Sequence, residues 1–189
     1  MKKKYLSILI ILLFASLSLY AAASNSIGIR FDYSLQQVDV KREGTDTKKG
    51  YSDYGYGSGI FFNHTFKNNI VVGAETCFNF YSYKDYGYTA DKYFTFDVML
   101  KGGYRFATGN FGYSILSVSA GLDYRHYDEM KGHFPVIGAD LAIYFPRLDT
   151  ISLGLGTQVQ MVFQNVPNDS YGKENILAFR FYIAASSLI

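Results

Sequence analysis

The chain holds three histidines, His64, His126 and His133, and one cysteine, Cys77. An imidazole can serve as general acid or base near neutral pH, so each histidine is a candidate for proton transfer. His126 has the most suggestive setting, Tyr124-Arg125-His126-Tyr127-Asp128-Glu129, with carboxylates close by in sequence. His64 lies in Phe62-Asn63-His64-Thr65-Phe66, which carries no carboxylate. The histidines and Cys77 are not grouped at metal-ligand spacings, and a single thiol forms neither an intrachain disulfide nor a thiolate zinc site. Gly55, Gly57 and Gly59 have the outline of a phosphate-cradling loop, but no Lys-Ser/Thr pair or helix start follows them. The sequence therefore predicts no cofactor, no metal and no catalytic residue.

The elements that would carry these residues alternate with a period of two. In Ile151 to Gln164 the odd positions read Ile151, Leu153, Leu155, Thr157, Val159, Met161 and Phe163, and the even positions are mostly Ser, Gly and Gln. That is a strand with one apolar and one polar face. Seven further segments repeat it, beginning near Ile27, Gly55, Ile70, Phe94, Leu116, Ile137 and Leu177. Long connections (Lys41 to Asp53, Lys84 to Asp91, Asp128 to His133, Asn165 to Glu174) alternate with short ones (Lys67 to Asn69, Ala107 to Asn110, Pro146 to Thr150). This predicts an all-β, eight-stranded, antiparallel up-and-down barrel with both chain ends on the short-turn side. The three prolines, Pro135, Pro146 and Pro167, are placed at strand boundaries, where a missing ladder donor costs little.

The first residues explain the apparent basicity. Met1-Lys2-Lys3-Lys4, an apolar stretch from Tyr5 to Leu19 and the exit Ala21-Ala22-Ala23 form the three-part pattern of a secretory signal peptide. With residues 1–23 read as the signal and 24–189 as the barrel, the count of 18 Lys and Arg against 16 Asp and Glu falls to 15 against 16. The mature chain is faintly acidic and no nucleic-acid partner is expected.

The direction of the two faces follows from volume and charge. An eight-stranded barrel has an interior just wide enough for side chains or one small ligand. The Phe and Tyr of the apolar face are predicted to be too bulky for it, and the Gly, Ser, Asn and Gln face to line it. On that inward face stand Arg30, Lys101, Arg105, Arg125 and Arg180 against Asp32, Glu75, Asp97, Asp123 and Asp140. Five charges of each sign suit an enclosed lumen, because an unpaired buried ion costs several kcal/mol. Outward intrusions are restricted to Asp39 and Lys92 near strand ends and to His64. Tyr54, Tyr56, Tyr81, Tyr83, Tyr86, Tyr88, Tyr93, Tyr124 and Tyr127 gather toward the long loops, and Phe66, Tyr104, Phe106, Phe111, Tyr113 and Phe145 toward the short turns. Two such belts are expected of a wall that crosses a membrane.

In pattern, strand count and loop alternation the chain resembles the small eight-stranded outer-membrane barrels of the OmpA transmembrane-domain and OmpX type. The resemblance covers nearly all of the mature chain and includes no diagnostic local motif. It implies the outer membrane of a diderm bacterium, insertion by the barrel-assembly machinery, outer-membrane lipids as neighbours, and both termini in the periplasm. Ile189 stands where such barrels commonly end in an aromatic residue. A monomer is expected, with a structural or surface-interaction, adhesin-like role in which loops such as Lys41 to Asp53 meet an extracellular ligand. An OmpW-like barrel that passes small hydrophobic molecules is the alternative. A lipid A-modifying enzyme is the weaker one, because the deacylases place Ser two residues after their His and position 128 here is Asp.

Overall fold

The computed structural model describes residues 24–41, 48–83, 91–108, 112–126, 131–145, 150–164 and 174–189. The expected signal peptide, residues 1–23, lies outside them. Eight strands follow in chain order: β1 (Ser24–Lys41), β2 (Lys48–Thr65), β3 (Ile70–Tyr83), β4 (Asp91–Ala107), β5 (Tyr113–His126), β6 (Lys131–Tyr144), β7 (Ile151–Gln164) and β8 (Glu174–Leu188). Each pairs antiparallel with its neighbours, and β1 pairs with β8 from Ser26↔Leu188 to Asp39↔Asn175, closing an up-and-down barrel.

The alternation of residue types becomes an alternation of environments. Ile29, Phe31, Val98, Leu100, Val118, Leu122, Ile143, Leu153 and Ile183 stand on the outside, with Val118 as much as 67% exposed. Their neighbours in sequence, such as Arg30, Asp97, Ser119 and Asp123, are buried. One wall is thus apolar throughout its middle and the other polar, which is what a one-residue alternation on a closed sheet must give.

The short turn after β2 is held by Phe66 N–H to Ile70 O (2.8 Å) and Asn69 N–H to Phe66 O (2.9 Å). Asn69 has φ 65°, a left-handed conformation that Asn adopts more readily than most residues. Gly112 before β5 has φ 100°, and a Cβ there would meet Tyr144 O at 2.0 Å.

Three expectations change. Strands β1 and β2 continue their pairing to Lys41↔Lys48, so the charged segment read as a loop from Lys41 to Asp53 is largely hairpin. Likewise β6 begins at Lys131, which takes His133 out of the loop and moves Pro135 from the expected strand boundary to a position within the strand. Pro135 is tolerated there because pairing between β6 and β7 starts only at Val136↔Val162, leaving the proline opposite Leu122 of β5 alone. Pro146 and Pro167 lie outside the described residues.

The lumen also holds more bulk than its glycines and serines suggest. Phe61, Tyr81, Tyr93, Tyr144 and Tyr182 are all buried inside it. Glycines directly across the ladder make the room: Gly28 faces Phe61, Gly55 faces Tyr81, Gly154 faces Tyr144 and Gly156 faces Tyr182. A Cβ on Gly156 would lie 2.1 Å from the Tyr182 ring, and one on Gly28 2.3 Å from Phe61. The volume argument from sequence counted aromatics by strand face and missed that a glycine opposite lets a ring lie flat along the wall.

Candidate functional site in the lumen

The lumen is layered along its axis. Toward the short turns, Phe61, Val71, Ile115, Ala142, Tyr144, Tyr182 and Ala184 form an apolar cluster, with Tyr113 packed against it. Toward the long connections, Met99, Val136, Val162 and Ile176 form a second, with Phe134 beside it. The ionic residues lie between and beside these clusters.

Arg30 on β1 is the hub of the first ionic group. Its Nε donates to Asp32 Oδ1 (2.8 Å), Nη1 to Glu75 Oε2 (3.2 Å) and Nη2 to Gln158 Oε1 (3.1 Å). Its guanidinium lies 3.9 Å from the centre of the Tyr182 ring. Glu75 also accepts from Lys101 Nζ (3.1 Å) and Gln158 Nε2 (2.6 Å). The bonds cross from β1 to β3, β4 and β7, strands that mostly do not touch in the wall. Asp140 accepts from Tyr182 Oη (2.7 Å) and Ser117 Oγ (3.5 Å) instead of from a cation.

A second group surrounds Asp97 and Asp123. Arg125 clasps Asp123 with Nε to Oδ1 (2.9 Å) and Nη2 to Oδ2 (3.0 Å), and its Nη1 donates to Gln36 Oε1 (3.2 Å). Arg180 forms an ion pair with Asp97. Tyr93 Oη donates to the same Gln36 Oε1 (3.0 Å), and Tyr81 shares a hydrogen bond with Ser34 Oγ (2.9 Å). The Tyr81 and Tyr93 rings stack with centroids 5.1 Å apart. Cys77 is free and buried, opposite Gly59 on one side and Asp97 on the other.

Nine of the ten charged residues read from sequence fall into these two groups. Arg105 does not join them; it is half-buried near the short turns, with its guanidinium 4.0 Å from the centre of the Tyr113 ring. The amides Gln36, Gln158 and Gln160 were not singled out from sequence, although their inward phase on β1 and β7 marked them. Each links charged or sulfur-bearing groups, as Gln160 Nε2 does between Met99 Sδ (3.2 Å) and Gln158 Oε1 (3.3 Å).

Tyr81, Tyr93 and Tyr113, expected in the aromatic belts, belong to the lumen, because their odd positions on β3, β4 and β5 carry the inward phase. His64, expected to face lipid, is only 4% exposed. Its Nδ1 lies 2.7 Å from Asn25 Oδ1 and Phe66 stands edge-on at 4.4 Å, so these two side chains fold over it. His126 stacks on Phe94, with centroids 5.0 Å apart and planes 9° from parallel. Tyr83, Tyr86, Tyr88, Phe111 and Tyr127 fall where side chains are outside the description.

Chemically, the network fills the bore and sets four cations against five carboxylates, the fifth, Asp140, being held by the Tyr182 and Ser117 hydroxyls. Arg30, Glu75, Asp97, Met99, Gln158, Gln160 and Arg180 are each at most 1% exposed, so no water-sized passage runs beside them. Among the described residues no group of three His, Cys, Asp or Glu side chains is placed to hold a metal ion.

A closed eight-stranded meander with an apolar outer wall and an ion-paired bore is the fold of the small outer-membrane barrels. Solved structures that share it include the following three. Outer membrane protein OprG from Pseudomonas aeruginosa superposes with a TM-score of 0.55 at 10% identity, over 89% of this chain and 97% of that one. Neisserial surface protein A superposes with 0.53 at 8% identity, over 85% and 96%. Outer membrane protein AlkL, solved in lipid bilayers, gives 0.53 at 10% identity, over 90% and 92%. No protein-family model and no curated protein matches the sequence.

Proposed function

We propose that this chain is a monomeric outer-membrane barrel of a diderm bacterium, exported by the signal peptide at residues 1–23 and inserted by the barrel-assembly machinery. Both termini lie in the periplasm, and the role is structural or surface-interacting, exercised through the long connections against an extracellular ligand. The observation that carries the reading is the combination of an apolar exterior with a bore closed by the Arg30–Glu75–Lys101 and Arg125–Asp123 ion pairs. An exterior of exposed Ile, Leu, Val and Phe is costly in water and favourable in hydrocarbon. A bore closed by crossed salt bridges leaves the rim and loops as the surface on which a partner can be met.

The reading is non-enzymatic. It draws support from the packing of two histidines: His64 is covered by Asn25 and Phe66, and His126 stacks flat on Phe94.

A second reading, passage of small hydrophobic molecules, is favoured by the apolar cluster of Met99, Val136, Val162 and Ile176 toward the long connections. Two measurements separate these. The folded protein should migrate faster than the boiled protein on gels of outer-membrane fractions; recovery in soluble periplasm would sink the membrane assignment. In planar bilayers it should give no sustained stepwise current, and in liposomes no faster entry of a small hydrophobic tracer than empty liposomes allow. Faster entry would favour the second reading.

A further inference from the structure

In the two ionic groups of the lumen, Asp140 is the one carboxylate with no cation bonded to it. Asp32 and Glu75 pair with Arg30, Glu75 also with Lys101, Asp123 with Arg125 and Asp97 with Arg180. Arg105 belongs to neither group and lies against Tyr113. Asp140 is only 3% exposed, and hydroxyls meet its oxygens instead: Tyr182 Oη donates to Oδ1 at 2.7 Å and Ser117 Oγ lies 3.5 Å from Oδ2. The amide opposite it on β7, Gln158, is already committed to Glu75, Arg30 and Gln160. The titratable groups whose fields reach Asp140 are Lys101 from β4, Arg30 from β1, Glu75 from β3, Tyr182 from β8 and Tyr144 on its own strand. Both cations among these are held by other carboxylates.

We propose that Asp140 is a proton-binding site, a carboxylic acid that keeps its proton inside the closed bore at neutral pH. The inference rests on the closed-bore reading above and adds a bound ligand to it. An ionised carboxylate taken out of water with no cation beside it is so unfavourable that such a group stays neutral instead. A metal cation would supply the same charge, but hard cations take about six or more oxygen ligands. Asp140 offers its own two oxygens and two hydroxyls, and Lys101 and Arg30 repel a further cation. A proton on Oδ2 turns the Ser117 contact around: the acid donates to Ser117 Oγ, while Oδ1 goes on accepting from Tyr182 Oη. The remaining carboxylates of the two groups, Asp32, Glu75, Asp97 and Asp123, then face Arg30, Lys101, Arg125 and Arg180 in equal number. Near neutral pH the folded barrel binds one proton more than the unfolded chain, in which Asp140 is ionised, so this site makes stability fall as pH rises.

The test uses the full-length folded protein in phospholipid vesicles. Infrared difference spectra at neutral pH should show the carbonyl stretch of a neutral carboxylic acid in wild type. Asp140→Asn, which has the shape of the neutral acid, should lose that band, and Asp97→Asn should keep it. In urea, Asp140→Asn should be at least as stable as wild type at neutral pH and should lose less stability as pH is raised, whereas Glu75→Gln, which breaks two ion pairs, should be weaker throughout. If Asp140→Asn does not fold, Ser117→Ala serves in its place: it removes the acceptor of the acid proton and should shift the band. No band in wild type, a band that survives Asp140→Asn or is lost in Asp97→Asn, or one that Ser117→Ala leaves unmoved would overturn the site. Stabilisation by sodium over an equal concentration of choline would assign the charge to a metal ion and overturn it too. Sustained current through wild type would instead overturn the closed-bore reading beneath it, because a watered bore lets Asp140 ionise.

Discussion

Asp97 and Asp123 stand directly opposite one another across the β4–β5 ladder, and each is bound to a different arginine, Arg180 for the first and Arg125 for the second. Two like charges at facing positions destabilise a sheet. Here each repulsion is offset by a cation from a strand that reaches into the same bore. Arg180→Met should therefore strand Asp97 and cost about 3–5 kcal/mol in urea unfolding from phospholipid vesicles. Adding Asp97→Leu should restore most of that stability. A double variant no more stable than the single would show that the cost arose elsewhere than in the pair.

Gly156 and Tyr182 give a second measurable coupling. An alanine at Gly156 would push its Cβ into the phenol ring, and overpacking of this kind costs about 1–3 kcal/mol. In a Tyr182→Leu background the same substitution should cost little. An equal cost in both backgrounds would contradict the glycine–ring account of how the lumen is filled.

The apolar wall makes a depth-dependent prediction. Leu100 lies mid-strand on β4 and is 52% exposed, whereas Ile151 begins β7 at the short-turn rim. Leu100→Arg should destabilise the protein in vesicles by about 2–4 kcal/mol and Ile151→Arg by about 0–1 kcal/mol. Indistinguishable values would be hard to reconcile with a hydrocarbon layer around the barrel's middle.

His64 makes a local one. Its ring is buried and bonded to Asn25, so Asn25→Ala should leave a buried polar group unmet and cost about 1–3 kcal/mol. His64→Leu removes the polar group itself and should cost less. Urea midpoints for the two variants in the reverse order would refute the idea that Asn25 serves to satisfy the histidine.

Strand number, order and phase were legible because a period of two is a property of single strands, and every lumen charge could be placed inside from phase alone. What phase could not supply was pairing. Whether Arg30 meets Glu75 or Asp140 depends on register and on the stagger of strands far apart in the chain. The lumen aromatics were misplaced for a different reason: Tyr81 and Tyr93 share the inward phase of Glu75 and Asp97, but they are adjacent to belt residues in sequence, and the bulk of a ring weighed against an interior that Gly55, opposite Tyr81, makes room for. Likewise the outward phase of His64 was correct, and its burial came from Asn25 and Phe66 closing over it. Strand ends were hardest to read, because Gly, Lys and Asp suit the tip of a long hairpin as well as they suit a loop.

Arg30 is bonded to residues 2, 45 and 128 positions further along the chain. Its partners are therefore made at widely different times during synthesis, and the last of them on β7, almost at the end. A sheet of four or five strands would hold Arg30 and Glu75 with Gln158 missing, and Asp97 with no Arg180 at all. Intermediate sheets thus carry unpaired charge that only the complete ring cancels, and the last strand brings in the cation that Asp97 lacks until then.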